Sequence, residues 1–118
     1  MIPKTLRELD LSNNPNLTIE AFKMLSEKIL ENSSYKLERL ILEGCKINDA
    51  TAEVLANALE YNNHLRYFNL SRNNIMEAGA KEISLMLVQN SSLTVLFLHW
   101  NKLQPRGGQY IANALSKN

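Results

Sequence analysis

Four stretches of this chain follow one pattern, and their spacing restricts the fold more than any other feature. LRELDLSNNPNL (6–17), LERLILEGCKI (37–47), LRYFNLSRNNI (65–75) and LTVLFLHWNKL (93–103) align as Leu-x-x-Leu-x-Leu-x-x-Asn. The aligned sets are Leu6, Leu9, Leu11 and Asn14; Leu37, Leu40, Leu42 and Cys45; Leu65, Phe68, Leu70 and Asn73; Leu93, Leu96, Leu98 and Asn101. Successive first leucines lie 31, 28 and 28 residues apart. The longer interval holds one extra residue near Pro15 and about two more between Ser33 and Lys36. One such unit cannot bury its own apolar face, so a period of this length marks a stacked array.

The second half of each unit repeats as well. Leu55 and Leu59, Ile83 and Leu87, and Ile111 and Leu115 recur at the same offsets, with Leu25 and Ile29 matching them in the first unit. A spacing of four is helical, and the neighbouring Ala21, Ala58, Ala80 and Ala114 keep the apolar stripe thin. Thr18, Asn48 or Asp49, and Pro105 stand where N-caps or first helical turns fall. Each unit therefore reads as a short strand, a loop and a helix.

This arrangement resembles the leucine-rich repeat family, in its ribonuclease-inhibitor-like class with units of about 28 residues. The resemblance covers Leu6 to Leu115 and implies an α/β solenoid of four repeats, with a parallel sheet on the concave face and helices on the convex face. The expected organisation is one domain over 1–118, with units of approximately 6–36, 37–64, 65–92 and 93–118. The chain is complete in itself or a segment of a longer array; the missing polar end-caps leave both open, and with them self-association through uncapped ends.

The recurrent asparagine has a physical reason. Where each strand turns toward its helix, backbone donors and acceptors are left inside the turn, and an Asn side chain offers both kinds of partner. Asn14, Asn73 and Asn101 are thus structural. Cys45 stands in the same slot, and the family resemblance implies that cysteine is tolerated there.

Residues between the leucines are expected on the solvent side of the sheet: Glu8, Asp10 and Ser12; Arg39, Ile41 and Glu43; Tyr67, Asn69 and Ser71; Val95, Phe97 and His99. Asn13, Gly44, Arg72 and Trp100 line the rim. From this wall Tyr67, Asn69, Arg72, Val95, Phe97, His99 and Trp100, with Arg39 and Glu43, form a candidate partner-binding site, since exposed aromatics beside Arg are typical anchors. The competing reading has Val95, Phe97 and Trp100 covering an open end or packing on a further unit. Four strands give a patch of only about 320 Å² in projection, against about 800 Å² per partner for a standard interface, so rim loops or assembly must add area.

Other function classes find little support. The net charge is +1, with Lys and Arg scattered, which gives no electrostatic basis for binding nucleic acid or a membrane surface. A single cysteine excludes an internal disulfide, and with no signal-like N-terminus the expected location is cytoplasmic. Cys45 and His99 fall two units apart, too far for a dyad, and His64, His99 and Cys45 lack metal-ligand spacing. Glu8, Asp10 and Glu43 read as a solvated acidic strip, and PRGG (105–108) lacks the lysine of a phosphate loop. Met24 and Met86 read as gap fillers. No enzyme, no cofactor and no metal are expected. The expected function is a non-catalytic protein–protein interaction module of unidentified partner. The alternatives are a GTPase-regulating protein, to which a resemblance to the Ran GTPase-activating protein points, and a self-associating scaffold.

Overall fold

The computed structural model describes residues 2–118. Four strands alternate with four helices: β1 (Glu8–Asp10), α1 (Ile19–Leu25), β2 (Arg39–Ile41), α2 (Asp49–Leu59), β3 (Tyr67–Asn69), α3 (Glu77–Gln89), β4 (Val95–Phe97) and α4 (Gln104–Lys117). The strands form one parallel sheet in the order β1-β2-β3-β4. Its register places Leu9, Leu40, Phe68 and Leu96 in one column, with Glu8, Arg39, Tyr67 and Val95 on one side of it and Asp10, Ile41, Asn69 and Phe97 on the other. Sequence homology between units and spatial adjacency are therefore the same relation. This is an α/β solenoid of four repeats.

The core lies between sheet and helices and is most complete in the middle. Leu40, Leu42, Leu65, Phe68, Leu70 and Ile75 are fully buried, and Leu55, Leu59 and Ile83 meet them from the helices. The corresponding Leu9, Leu11, Leu96, Leu98 and Ile111 of the outer units are only partly buried. Leu115 departs from expectation: the repeat places it on the inward stripe, but it is 61% exposed because nothing stacks on the outer side of α4. Met24 also departs, lying 60% exposed on the outer side of α1, whereas Met86 fills the core as expected.

Helix starts follow local chemistry. Thr18 and Asn48 each accept a backbone N–H three residues on, from Ala21 and Thr51. Asp49 is not the cap of its own helix; its carboxylate takes the Met76 N–H at 2.7 Å, serving the start of the next one. The helices approach closely at Gly79, where an added Cβ would lie 2.6 Å from Asp49 Oδ1 and 2.8 Å from Ile75 Cγ2. Gly107 holds the same position against Ala80, which makes PRGG a packing device. After Leu25 the first helix widens into a π turn over Ser26–Leu30, bringing both Ile29 and Leu30 inside. The extra residues between Ser33 and Lys36 then carry Tyr35 back over the first unit, where its hydroxyl donates to the Ile2 carbonyl at 2.9 Å.

Two columns of asparagine knit the units together. Asn73 is buried; its Oδ1 accepts Cys45 and Ile47 N–H at 2.9 and 3.0 Å, and its Nδ2 donates to Leu42, Leu70 and Ser71 carbonyls. Asn101 repeats the arrangement with Ile75 N–H, Leu70 and Leu98. The second column stands at the helix C-termini. Asn62 Nδ2 donates to Leu30 O, Asn90 Nδ2 to Leu59 O, and Asn118 Nδ2 to Leu87 O, each satisfying a carbonyl at the end of the preceding unit's helix. At the other end of the side chain, Asn62 and Asn90 Oδ1 cap the turn into the next strand through His64, Leu65, Ser92 and Leu93 N–H.

Replacing Asn73 with Ala strands buried groups of two units, and a loss of about 3 kcal/mol is expected in urea unfolding. Asn14→Ala, at an exposed position with only Leu11 and Ser12 carbonyls as partners, is expected to cost about 1 kcal/mol or less. Equal losses would refute the ladder as the main determinant. Two glycine substitutions in helices are expected to differ in sign. Gly79→Ala destabilises through the contacts above, while Gly108→Ala, with open space at its Cβ, stabilises by about 0.5–1 kcal/mol. Melting curves of the pair decide this.

Candidate functional site

The concave wall is built by the alternation of short strands. Because side chains one residue to either side of the Leu9–Leu96 column leave the core, Arg39, Tyr67, Asn69, Val95 and Phe97 share one face. Across it runs a chain of contacts. Glu8 Oε1 accepts from Arg39 Nε at 2.7 Å, which pushes the Arg39 guanidinium further from deprotonation. Arg39 stacks over the Tyr67 ring at 3.8 Å, Tyr67 meets Phe97 edge to face at 5.4 Å, and Phe97 meets His99 likewise at 5.8 Å. These are favourable geometries for aromatic pairs and for a cation on a ring.

A second row lies along the rim. Asn13, Gly44, Arg72 and Trp100 all have left-handed backbones, with φ of 62°, 69°, 58° and 60°. The turn that presents the slot asparagine demands this conformation in every unit, and only Gly44 meets it without strain. An arginine and a tryptophan held at positive φ are unusual. The geometry points both side chains outward: Trp100 is 71% exposed, Arg72 lies 5.8 Å from its ring, and Arg72 Nε pairs with Glu43 Oε1 at 3.3 Å. Exposure limits the worth of that ion pair to about 1 kcal/mol or less.

All nine residues of the candidate site thus fall on the inner wall and its rim. Ser71 does not follow its expected solvent exposure. It is buried, because its hydroxyl bridges Asn69 Oδ1 at 2.6 Å and Glu43 Oε1 at 3.1 Å beneath the rim. Val95 and Phe97 separate the two readings of the aromatic end. Val95 lines an apolar groove at the open side of β4 with Leu93, Leu96, Leu98, Ile111 and Leu115, whereas Phe97 packs into the concave cluster. The asparagines of the second column, invisible to a search centred on leucine, recur in the sequence at Asn32, Asn62, Asn90 and Asn118.

Cys45 and His99 are on opposite sides of the sheet. The Cys45 thiol is buried under the turn and donates to Leu11 O at 3.2 Å, while His99 faces solvent. Burial pushes the Cys45 thiol up, opposed by the Asn14 and Asn13 backbone N–H groups beside the sulfur. On the acidic side, Ser12 holds the Asp10 carboxyl below its ordinary value through its hydroxyl's proximity and its N–H, the latter at 2.9 Å. The Ser12 hydroxyl itself makes no hydrogen bond among the described residues. Among the described residues no group of three or more His, Cys, Asp or Glu could hold a metal ion, and no helix is long and apolar enough to cross a membrane.

Fold and face together define a solenoid of the leucine-rich class. Family models described as leucine rich repeat match residues 5–25, 61–84 and 89–112, more than half of the chain. The chain belongs to the leucine-rich repeat family, in its ribonuclease-inhibitor-like class. It is 35% identical over 116 residues to NACHT, LRR and PYD domains-containing protein 14 of Mus musculus, covering 98% of this chain and 12% of the relative. It is 38% identical over 87 residues to ribonuclease inhibitor of Sus scrofa, covering 74% of this chain and 19% of the relative. The chain thus spans under a fifth of the length of either protein. Among solved structures, one titled leiomodin-1 actin-binding site 2 superposes with a TM-score of 0.84 at 26% identity, covering 94% of this chain and 64% of that one.

The raised Cys45 pKa has a stability consequence. Above about pH 8.5 the unfolded thiol ionises while the folded one keeps its proton, so the folded state binds more protons and stability falls as pH rises. The contribution is complete below that pH and is lost as pH climbs through the folded pKa. The urea midpoint of the native chain is expected to drop between about pH 7 and pH 10 more steeply than that of Cys45→Ala.

Proposed function

We propose that this chain is a non-catalytic protein-binding module whose partner docks on the concave sheet and its rim. The carrying observation is the run of half-buried Tyr67 with exposed Phe97, His99, Trp100 and Arg72, on positions where neither core nor turn calls for an aromatic side chain. Tyr and Trp beside Arg supply large contact area at small entropy cost, the pattern of an interface anchor. Asn69 sits between them as a polar contact, Val95 adds apolar area at the edge, and Arg39 and Glu43 hold neighbouring residues in place through their ion pairs. The strained Trp100 backbone supports the same reading, because an exposed indole there brings the fold no packing in return.

The similarity to the leiomodin-1 structure favours actin as one partner to test, and the ribonuclease inhibitor relative makes a ribonuclease a second. The double variant Phe97→Ala with Trp100→Ala should fold as the native chain does, since Trp100 is exposed and Phe97 is 37% exposed. It is expected to weaken partner binding at least tenfold, or about 1.4 kcal/mol, in a titration against actin, the ribonuclease, or a protein cross-linked from cytosol by a photoreactive residue at Asn69. Unchanged affinity in the double variant, or equal cross-linking from Leu85 on the convex side, would discard the concave site. Accelerated GTP hydrolysis by small GTPases would replace this reading with the regulatory alternative.

A further inference from the structure

The repeat gathers cations that lie far apart along the chain. Arg7, Glu38, Arg66 and Thr94 hold one repeat position, just before each strand. Backbone bonds fix them as a column. Glu38 and Arg39 N–H donate to the Arg7 carbonyl, Arg66 and Tyr67 N–H to the Glu38 carbonyl, and Thr94 and Val95 N–H to the Arg66 carbonyl. Lys36 and His64 stand just ahead of two of these positions. In space, Arg7, Lys36, Glu38, His64 and Arg66 line one concavity of about 340 Å³ where the chain enters the strands. No run of Lys or Arg in the sequence announces it. Lys36 and Glu38 lead into β2, and His64 and Arg66 into β3, strands that each have a neighbour on both sides. The cluster is therefore built by the interior of the stack.

Charge in this concavity is unbalanced. Arg7, Lys36 and Arg66 face a single carboxylate, Glu38, which leaves a net +2 with His64 as a further polar group. Outside the cluster acids outnumber Lys and Arg, so the surplus is local. Glu38 Oε2 meets Arg7 Nε at 3.6 Å with both side chains about half exposed, a pair loose enough to give way to a stronger anion. Arg66 Nη1 donates to Ser92 O at 3.2 Å, which anchors the guanidinium and leaves its other N–H groups free. The Lys36 ammonium and the His64 imidazole hold no hydrogen bond or ion pair among the described residues.

We propose that this concavity binds a phosphoryl group carried on a side chain of the protein partner, a phosphoserine or phosphothreonine. A phosphate monoester carries about −1.5 to −2 at neutral pH and matches the surplus, whereas one carboxylate leaves half of it uncompensated. The guanidinium forks of Arg7 and Arg66 suit phosphate oxygens in pairs, and Lys36 adds a point charge beside them. Arg39 and Tyr67 of the concave wall directly follow Glu38 and Arg66, so a peptide crossing the wall toward the strand entries reaches the site. That placement favours a protein-borne phosphate over a lipid headgroup. A membrane surface calls for a broad cationic face, and the adjoining wall carries Glu8, Asp10 and Glu43. The site thus rests on the same docked partner as the concave wall and puts its docking under control of phosphorylation.

The probe is a fluorescein-labelled peptide of glycine and serine with one phosphoserine, titrated by anisotropy at low ionic strength. It is expected to bind saturably, and about tenfold or more tighter than the same peptide with glutamate or unmodified serine at that position. Lys36→Gln with Arg66→Gln, both at exposed positions, is expected to abolish the difference. Glu38→Gln is expected to tighten phosphopeptide binding severalfold, a gain that a misfolded chain cannot show. Phe97→Ala with Trp100→Ala is expected to leave this short peptide's affinity unchanged, so loss of the wall and loss of the phosphate site read separately. Equal affinity for the phosphoserine and glutamate peptides would overturn the proposal, as would phosphopeptide binding that Lys36→Gln with Arg66→Gln leaves unchanged. So would capture by phosphatidylserine vesicles without phosphopeptide binding, which would assign the cluster to a lipid surface.

Discussion

The stack depends on one interaction: a carboxamide that serves backbone groups of its own unit and of the unit before it. Burying Asn73 in the turn is tolerable only because both ends of the amide are fully engaged, and that engagement fixes the distance and rotation between neighbouring units. Leucine columns supply the larger share of burial, but leucine contacts tolerate sliding. Five directed bonds do not. The second asparagine column at the helix ends repeats the device on the other edge, so each unit is pinned at both of its turns. A buried polar network of this kind is costly when incomplete and specifying when satisfied.

Much of this was legible in the sequence because the period and the geometry coincide. Residues 28 positions apart become neighbours, so aligning Leu40, Phe68 and Leu96 by eye already gives the sheet register. The inner wall was legible for the same reason, through strict alternation around those leucines. What escaped the pattern depended on a third dimension. Ser71 alternates outward but is roofed by Glu43 and Asn69, a contact between side chains of different units. Leu115 obeys the helical stripe yet meets no neighbour, because burial in an array is conferred by the adjoining unit and not by the residue's own helix. The second asparagine column carries its signal in Asn32, Asn62, Asn90 and Asn118, in segments that otherwise read as polar loop.

The candidate binding face follows from the economy of the repeat. Leucines, slot asparagines and small helix residues leave little choice at their positions, Phe68 and Cys45 being the departures, so sequence variety is concentrated where side chains leave the core. On this chain the variety has a gradient. Charge dominates β1 and β2, compensated by the Glu8–Arg39 and Glu43–Arg72 pairs, and aromatic surface dominates β3 and β4. A partner would meet a largely neutralised electrostatic field on one side and an uncompensated apolar one on the other, which sets orientation without demanding high net charge.

The repeated left-handed residue at the rim has a further meaning. Since the turn imposes that backbone on every unit, the conformational penalty of placing a large side chain there is a constant of the architecture, independent of neighbours. Asn13, Gly44, Arg72 and Trp100 therefore form a row of interchangeable sockets whose Cα positions are set by the array and whose contents are free to vary. Exchanging the occupants alters what the lip of the wall recognises while the scaffold underneath keeps its shape. New specificity in such a molecule needs no new fold.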